Sequence, residues 1–286
     1  MADRRDRRGG LALLLAVPNV SEGRDVAALD AIGAAFVAGG ARLLDVHTDP
    51  DHHRAVFTLA AAPGALHRAL LEGAREAVER IDLSTHAGAH PRVGALDVAP
   101  VVYRDPAQRG AACAEALLLA HRLAIDLRVP VYLYGALAGG RTRAELRRPG
   151  ALEGLAPDYG PPRPHPTAGV TLVAARPPLV AFNVELAAPA TAEQARAIAA
   201  RIREGGEEGL PGVRALGLRL ESTGQVQVST NIEDPARTTA ADVVAAVARH
   251  AAVAGAELVG LAPAAALAGL DVALRNRHTL EEDLDS

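Results

Sequence analysis

One order of local patterns occurs twice along this chain, and it constrains the fold more than any single residue does. In the first half, an apolar run at 11–17 reads as a buried strand, and 25–38 reads as a helix stopped by Gly39-Gly40. A strand at 41–46, a turn rich in Asp and His at 49–53 and a strand at 54–61 follow. A helix at 63–80 and a strand at 94–102 complete the order β-α-β-β-α-β, the split-βαβ signature. A further helix at 106–128 and a strand at 131–134 extend that sheet. The second half repeats the order: strand 179–186, helix 191–203, a hairpin of 213–221 and 225–232 around Ser222-Thr223-Gly224, helix 239–250 and strand 257–261. The expectation is an α/β (α+β) chain of two ferredoxin-like βαββαβ subdomains, with mixed sheets and helices on the outer faces. Its divisions are a basic, disordered tail at 1–10, lobes at 11–148 and 170–286, and an interlobe loop at 149–169. Six Pro residues in that loop make it stiff and shaped, which favours a functional part over a slack linker.

Length and composition agree with two lobes. A chain of 286 residues exceeds the usual single core, and 49% hydrophobic content can fill two. Aromatics are only 2%, so the cores must be aliphatic. A net charge of −4 argues against a general nucleic-acid or membrane partner. Every positive side chain is Arg, and the absence of Lys excludes both a Walker A phosphate loop and a pyridoxal Schiff base. Cys113 stands alone, so no intrachain disulfide forms and a reducing, cytoplasmic compartment fits. It falls in a buried helical run, where packing is the commoner role. Arg4, Arg5, Arg7 and Arg8 ahead of the 11–17 run imitate a signal peptide, but the run is short and lacks a cleavage site. No stretch approaches transmembrane length.

Six of the ten His residues fall between 47 and 90: His47, His52, His53, His67, His86 and His90. His67 lies in the 63–80 helix, whereas the others sit in or beside loops. A metal reading and an acid-base reading are both open, beside the commoner one of surface His in polar turns. His86 and His90 are four apart, yet Gly88 and Pro91 prevent a helical pair on one face. The His52-His53 turn after Asp49, Pro50 and Asp51 is capable of ligation, but no metal is expected. His90 precedes the strand at 94–102, with Arg92 and Asp97 close in sequence, and loops at strand ends carry sites. Arg92 supplies a forked donor for a carboxylate. Asp97 either orients an imidazole or binds a substrate amine, or it simply caps the loop's backbone donors.

Several collinear segments resemble the glutamate formimidoyltransferase family. They are Val17-Pro18-Asn19-Val20-Ser21-Glu22-Gly23, Leu43-Leu44-Asp45-Val46, Ile81-Asp82 through His90-Pro91-Arg92-Val93-Gly94-Ala95-Leu96-Asp97, and Val129-Pro130-Val131-Tyr132-Leu133-Tyr134-Gly135. Ala156-Pro157-Asp158-Tyr159-Gly160-Pro161, Ala181-Phe182-Asn183 and Gln227-Val228-Ser229-Thr230-Asn231 continue the match, which runs from about 11 to 262. The resemblance implies transfer of a formimidoyl group from N-formimidoylglutamate to the co-substrate tetrahydrofolate, in histidine degradation. It also implies a homodimer and a folate cleft between two α/β lobes. By similarity His90 matches the catalytic His, and 160–169, from Gly160 and Pro161 to Gly169, matches the folate loop. Arg54 and Arg92 are the candidates for substrate carboxylates. Asn19, Asn183 and Asn231 are candidates for the pterin edge, though each alone reads equally as a turn or strand-end residue. Asp45 is grouped with these substrate-binding residues.

The family's fused cyclodeaminase domain has no counterpart among these residues, so the expectation is transfer without cyclisation. The sequence also departs from the pattern: Ala89 stands where the family has Glu before its His, Ala136 replaces the Glu after the Tyr-Leu-Tyr strand, and His53 replaces an Asn. Two other readings therefore stand beside the first. One is a paralogous folate one-carbon enzyme with another donor or a 5-formyltetrahydrofolate cycloligase-like activity, although no phosphate loop for ATP is visible. The other is a non-catalytic folate-binding protein.

Overall fold

The computed structural model describes residues 13–86 and 92–285. The first strand is broken in two, β1 (Leu14–Ala16) and β2 (Asn19–Val20), because Pro18 has no N–H to give the ladder. After α1 (Val26–Ala38) come β3 (Arg42–Asp49), β4 (Arg54–Ala61), α2 (Leu66–Arg80) and β5 (Leu96–Val102). The next elements are α3 (Arg109–Asp126), β6 (Val131–Leu133), the single turn α4 (Arg143–Leu146) and β7 (Thr171–Arg176). The second half holds β8 (Val180–Leu186), α5 (Ala192–Ile202), β9 (Val213–Arg219), β10 (Val226–Ile232), α6 (Ala240–Ala248), β11 (Val253–Val259), β12 (Leu274–Arg275) and α7 (Leu280–Asp285).

Both sheets have the ferredoxin-like order. In the first, β3 pairs with β4, which pairs with β1 and β2, which pair in turn with β5, all antiparallel. Beyond β5 lie β7 and then β6, both parallel. The second sheet runs β12-β11-β8-β10-β9, the same order with β12 added parallel at one edge. The fold class expected from the sequence is therefore the one observed. Strand β7 was not anticipated. The sequence reading opened the second lobe at residue 170, whereas 171–176 is hydrogen bonded into the first sheet.

The long helices cover one face of each sheet, and the single turn α4 sets Leu146 against Val98, Leu172 and Ala174 on the other face of the first. Phe57, Leu59 and Ala61 of β4 pack with Leu29, Ile32 and Phe36 of α1 and Leu66 and Leu70 of α2. Phe36 and Phe57 meet edge to face at 5.3 Å, a rare aromatic contact in an aliphatic core. In the second lobe Phe182, Val184, Val228 and Leu258 pack against Ile198, Ile202, Val243 and Val247. Period-two alternation then sends the intervening residues to the opposite face. In the second sheet those are polar: Asn183 and Glu185 on β8, Gln227 and Asn231 on β10, Glu257 on β11.

The two uncovered faces meet. A Cβ on Gly260 would lie 3.7 Å from Thr58 Oγ1 and 4.0 Å from Asp45 Oδ2, on the first sheet. Asn276 and His47 approach at 3.5 Å. Asp51 accepts from the Ser222 backbone N–H at 2.9 Å and from its hydroxyl at 2.6 Å, joining the β3–β4 turn to the β9–β10 hairpin. Leu261, Leu280 and Leu284 close over Leu15, Ala60 and Val102 at the other end.

Candidate active site

The segment 149–169 is built onto the first lobe. Val131 N–H donates to Tyr159 O, Asp158 N–H to Val131 O, and Leu133 N–H to the Asp158 carboxylate. Its far end forms a short antiparallel bridge between His165 and Gly169, and Gly169 bridges Gly94 in turn. Both glycines of that second bridge are needed. A Cβ on Gly94 would lie 1.9 Å from Val170 O, and one on Gly169 2.2 Å from Val93 O. Leu83 N–H to Thr167 O and Ala95 N–H to Ala168 O tie the same stretch to both flanks of 87–91. Gly160, Pro161 and Gly169 thus lie in a segment fixed against the chain that carries the candidate catalytic residue. His90 itself lies outside the described residues.

Around the flanks of 87–91 is a cleft of about 350 Å³ lined by Glu22, Arg24, His53, Arg80, Asp82, Thr85 and His86. Glu22 Oε1 accepts the backbone N–H groups of Gly23, Arg24 and Asp25 at 2.7–3.0 Å. Asp25 then caps α1 by accepting from Ala28 N–H. Gly23 lets this turn press onto the β3–β4 hairpin, since a Cβ there would lie 2.4 Å from Asp49 O. Burial alone would raise the Glu22 pKa, but the N–H groups and His53 outweigh it and hold the carboxyl below its ordinary value. His53 occupies the left-handed region at φ 49°, with its ring 3.9 Å from that of His86. The Arg92 guanidinium lies against the His86 ring. Burial lowers the pKa of both imidazoles, and Arg92 lowers them further, so both are neutral at pH 7.

A second group lies on the face turned to the other lobe. Asp97 is the extra residue of a bulge where β5 pairs with β2 (Asn19 opposite Val98, Val20 opposite Leu96). Its carboxylate accepts from Val93 and Gly94 N–H and pairs with Arg147, fifty residues away. Arg54 begins β4 opposite Asp49. Burial, with Arg147 and Arg143 nearby, pushes its pKa down to about 10. Three guanidiniums therefore crowd one another across Asp97, an arrangement that favours an incoming carboxylate. Asn19 Nδ2 donates to Val17 O, Asn183 to Glu257 at 3.0 Å, and Asn231 sits opposite Ala181 on the same sheet face. Burial raises the Asp45 pKa, across β3 and β4 from Thr58.

The sequence-named residues thus fall in two groups, one around 86–97 and one on the facing sheets. Sequence reasoning placed His86 in the segment of the candidate catalytic residue but gave no site role to Glu22, Arg143 or Arg147. Three successive N–H groups after Glu22 were a local signal; nothing local links Arg147 to Asp97. Among the described residues no group of three His, Cys, Asp or Glu is placed to hold a metal ion. Nor is any helix among them long and apolar enough to cross a membrane.

Comparison with known proteins settles the lineage. The profile of the formiminotransferase domain, N-terminal subdomain, matches residues 13–176, and that of the formiminotransferase domain matches 181–280. The chain belongs to the formiminotransferase family. It is 40% identical over 282 residues to the mouse formimidoyltransferase-cyclodeaminase, spanning only 51% of that protein. It is 38% identical to the glutamate formimidoyltransferase of Streptococcus pyogenes serotype M1, over 90% of both chains. A third relative, the Thermoplasma acidophilum glutamate formimidoyltransferase, is 33% identical over 92% of this chain. The chain thus spans about half the length of the animal members and nine-tenths of the microbial ones. The two ferredoxin-like lobes correspond to the formiminotransferase subdomains.

Proposed function

We propose that this chain is a glutamate formimidoyltransferase, moving a formimidoyl group from N-formimidoyl-L-glutamate to tetrahydrofolate and releasing L-glutamate. The observation that carries the reading is full-length likeness to relatives of that name, at 38% identity over 90% of both chains. In the reaction, a pterin N–H nitrogen attacks the amidine carbon and forms a C–N bond. The bond from that carbon to the glutamate nitrogen then breaks. One proton leaves the attacking nitrogen and one reaches the departing nitrogen, so the exchange is balanced without redox chemistry. His90 is the proposed proton shuttle, because an imidazole near pKa 6.5 takes and gives protons at neutral pH. Folate would lie between the facing sheets against 160–169, with Asn19, Asn183 and Asn231 available to a pterin edge. Arg54 and Arg92 would receive carboxylates, and Asp45 and Asp97 complete the substrate surroundings. A homodimer, a cytoplasmic setting, a place in histidine degradation and independence from metal complete the proposal on family grounds.

The test is direct. Purified protein mixed with tetrahydrofolate and formimidoylglutamate should form 5-formimidoyltetrahydrofolate. His90→Ala should slow turnover by about 10² to 10⁴ with little change in folate binding. No product from the folded protein, or full turnover by the variant, would overturn the assignment concerned.

A further inference from the structure

We propose that Arg143 and Arg147, one turn apart on α4, form the binding site for the glutamyl dicarboxylate of the formimidoyl donor. This site rests on the transferase reading and deepens it, because it gives the donor's own carboxylates to residues that the sequence left without a role.

Unsatisfied donors carry the case. Arg147 gives one arm of its guanidinium to Asp97, and its side chain is only 10% exposed. Its Nε is buried and finds no acceptor among the described residues. Arg143 is partly buried, and among the described residues it has no hydrogen-bond or ion-pair partner for its guanidinium. Donors left this way carry a desolvation cost that a bound anion would recover, and each fork matches a carboxylate in two places. The turn that holds them is fixed in advance. Thr142 and Glu145 close a capping box at its start, Arg147 N–H donates to Arg143 O at its end, and Leu146 packs on the first sheet. Residues four apart on such a turn lie on one side, with Cβ atoms about 5–6 Å apart. Two forks at that spacing suit two carboxylates on a short, flexible stem.

The surrounding charge is unbalanced in the same sense. Arg54 on β4 stands near both guanidiniums, and Arg176 at the end of β7 stands near Arg143. Alternation puts Arg176 on the face of Leu172 and Ala174, and Arg54 on that of Val56 and Thr58, the face turned to the second lobe. The carboxylates nearby are Asp97, Asp49 and Glu233. Asp49 is engaged by His52 and Glu233 by Arg214, so four cations share Asp97 and two acids bound elsewhere. Position then selects the source of the anion. Asp97 also accepts from Val93 and Gly94 N–H, so the site abuts the segment that carries His90. In the donor, the nitrogen bearing the reacting carbon sits on the carbon next to a carboxylate. In tetrahydrofolate, the whole aminobenzoyl group stands between the reacting nitrogen and the glutamyl tail. A glutamyl site this close to 87–91 therefore serves the donor, its α-carboxylate toward Arg147 and its side-chain carboxylate toward Arg143.

N-formimidoylglycine lacks the side-chain carboxylate and so isolates Arg143. Wild type should prefer formimidoylglutamate over it in kcat/KM, and Arg143→Gln should shrink that preference by about 10- to 100-fold, mainly through the donor KM. Arg143→Lys should recover only part of it, since the charge returns without the fork. The melting temperature of Arg143→Gln should hold or rise, because no partner is lost and like-charge crowding is relieved. N-formyl-L-glutamate, an unreactive isostere of the donor, gives a readout that needs no turnover. Calorimetry should show it binding wild type, and binding Arg143→Gln about 10- to 100-fold more weakly. A wild type that binds it in this way yet transfers nothing from formimidoylglutamate would overturn the transferase reading and uphold the dicarboxylate site. An unchanged preference with unchanged N-formylglutamate affinity in Arg143→Gln would overturn the inference. So would a rise confined to the tetrahydrofolate KM, which would put the folate tail here instead.

Discussion

His47, His53 and His86 are all held below the ordinary imidazole pKa, and burial is the leading cause in each. A depressed imidazole has a definite consequence for stability. Between its folded pKa and about 6.5, the unfolded chain binds the proton and the folded one does not. Stability is therefore complete above that window and declines as pH falls through it. Asp49 adds a separate loss lower down, since its pKa falls from 3.8 to about 2, with the contact to His52 outweighing burial. Burial raises Asp45, which has the opposite sign, but it is one group against three. Thermal melts should accordingly show a falling midpoint from pH 7 toward pH 5, and His47→Gln should flatten that slope. An unchanged midpoint across this range would show that the three rings titrate normally. At this scale the sequence exposed residue types better than partners. The guanidinium fork of Arg92 follows from its residue type, whereas His90 lies outside the described residues. The bracing of Asp97 by Arg147 could not be read from the sequence, because those residues meet only once α4 is folded against the bulge in β5.

The interlobe segment shows what an element contributes beyond its residues. Its Pro content predicted a shaped loop, and the structure gives the shape: one end runs along β6 and the other crosses Gly94. That crossing has no room for a methyl group. Gly94→Ala places its Cβ against Val170 O, a backbone atom that cannot rotate away. Such clashes cost on the order of 1–3 kcal/mol or more. The variant should melt lower and bind folate more weakly than Ala replacements elsewhere on the surface. A Gly94→Ala protein with wild-type stability and folate affinity would show that the crossing does not position the site. Among regular elements, the six of each repeat were legible because alternation and helical periodicity set them, and Pro18 explains why the first strand is split. β7 was hidden for a different reason. A parallel strand buried on both faces is a short apolar run without alternation, and this one follows a Pro-rich stretch directly. β12 has two residues, too few for any pattern.

Two sheets that each spend one face on helices must do something with the other, and here the second faces look at one another. Apolar contact closes one end, through Leu280 and Leu284 over Leu15 and Ala60. Both faces also carry polar groups, Asp45, His47 and Arg54 on the first sheet and Asn183, Gln227 and Glu257 on the second. Gln227 is 1% exposed and its Oε1 finds no donor among the described residues. A buried amide oxygen left this way costs about 1–3 kcal/mol, which a ligand with polar edges would recover. The lobes are thus expected to hold together more firmly with a folate between them than without. A ligand that binds only the native form stabilises it by about 2.7 kcal/mol at one hundred times its Kd. For a chain of this size that corresponds to a rise of roughly 5 to 10 °C in Tm. Calorimetry with 5-formyltetrahydrofolate should show this rise, and the location of the ligand decides its form. Folate held between the sheets links the lobes, so any separate unfolding transitions should move up together and approach one another. If only the transition of one lobe moves, folate sits on that lobe alone, and the cleft between the sheets is not its site.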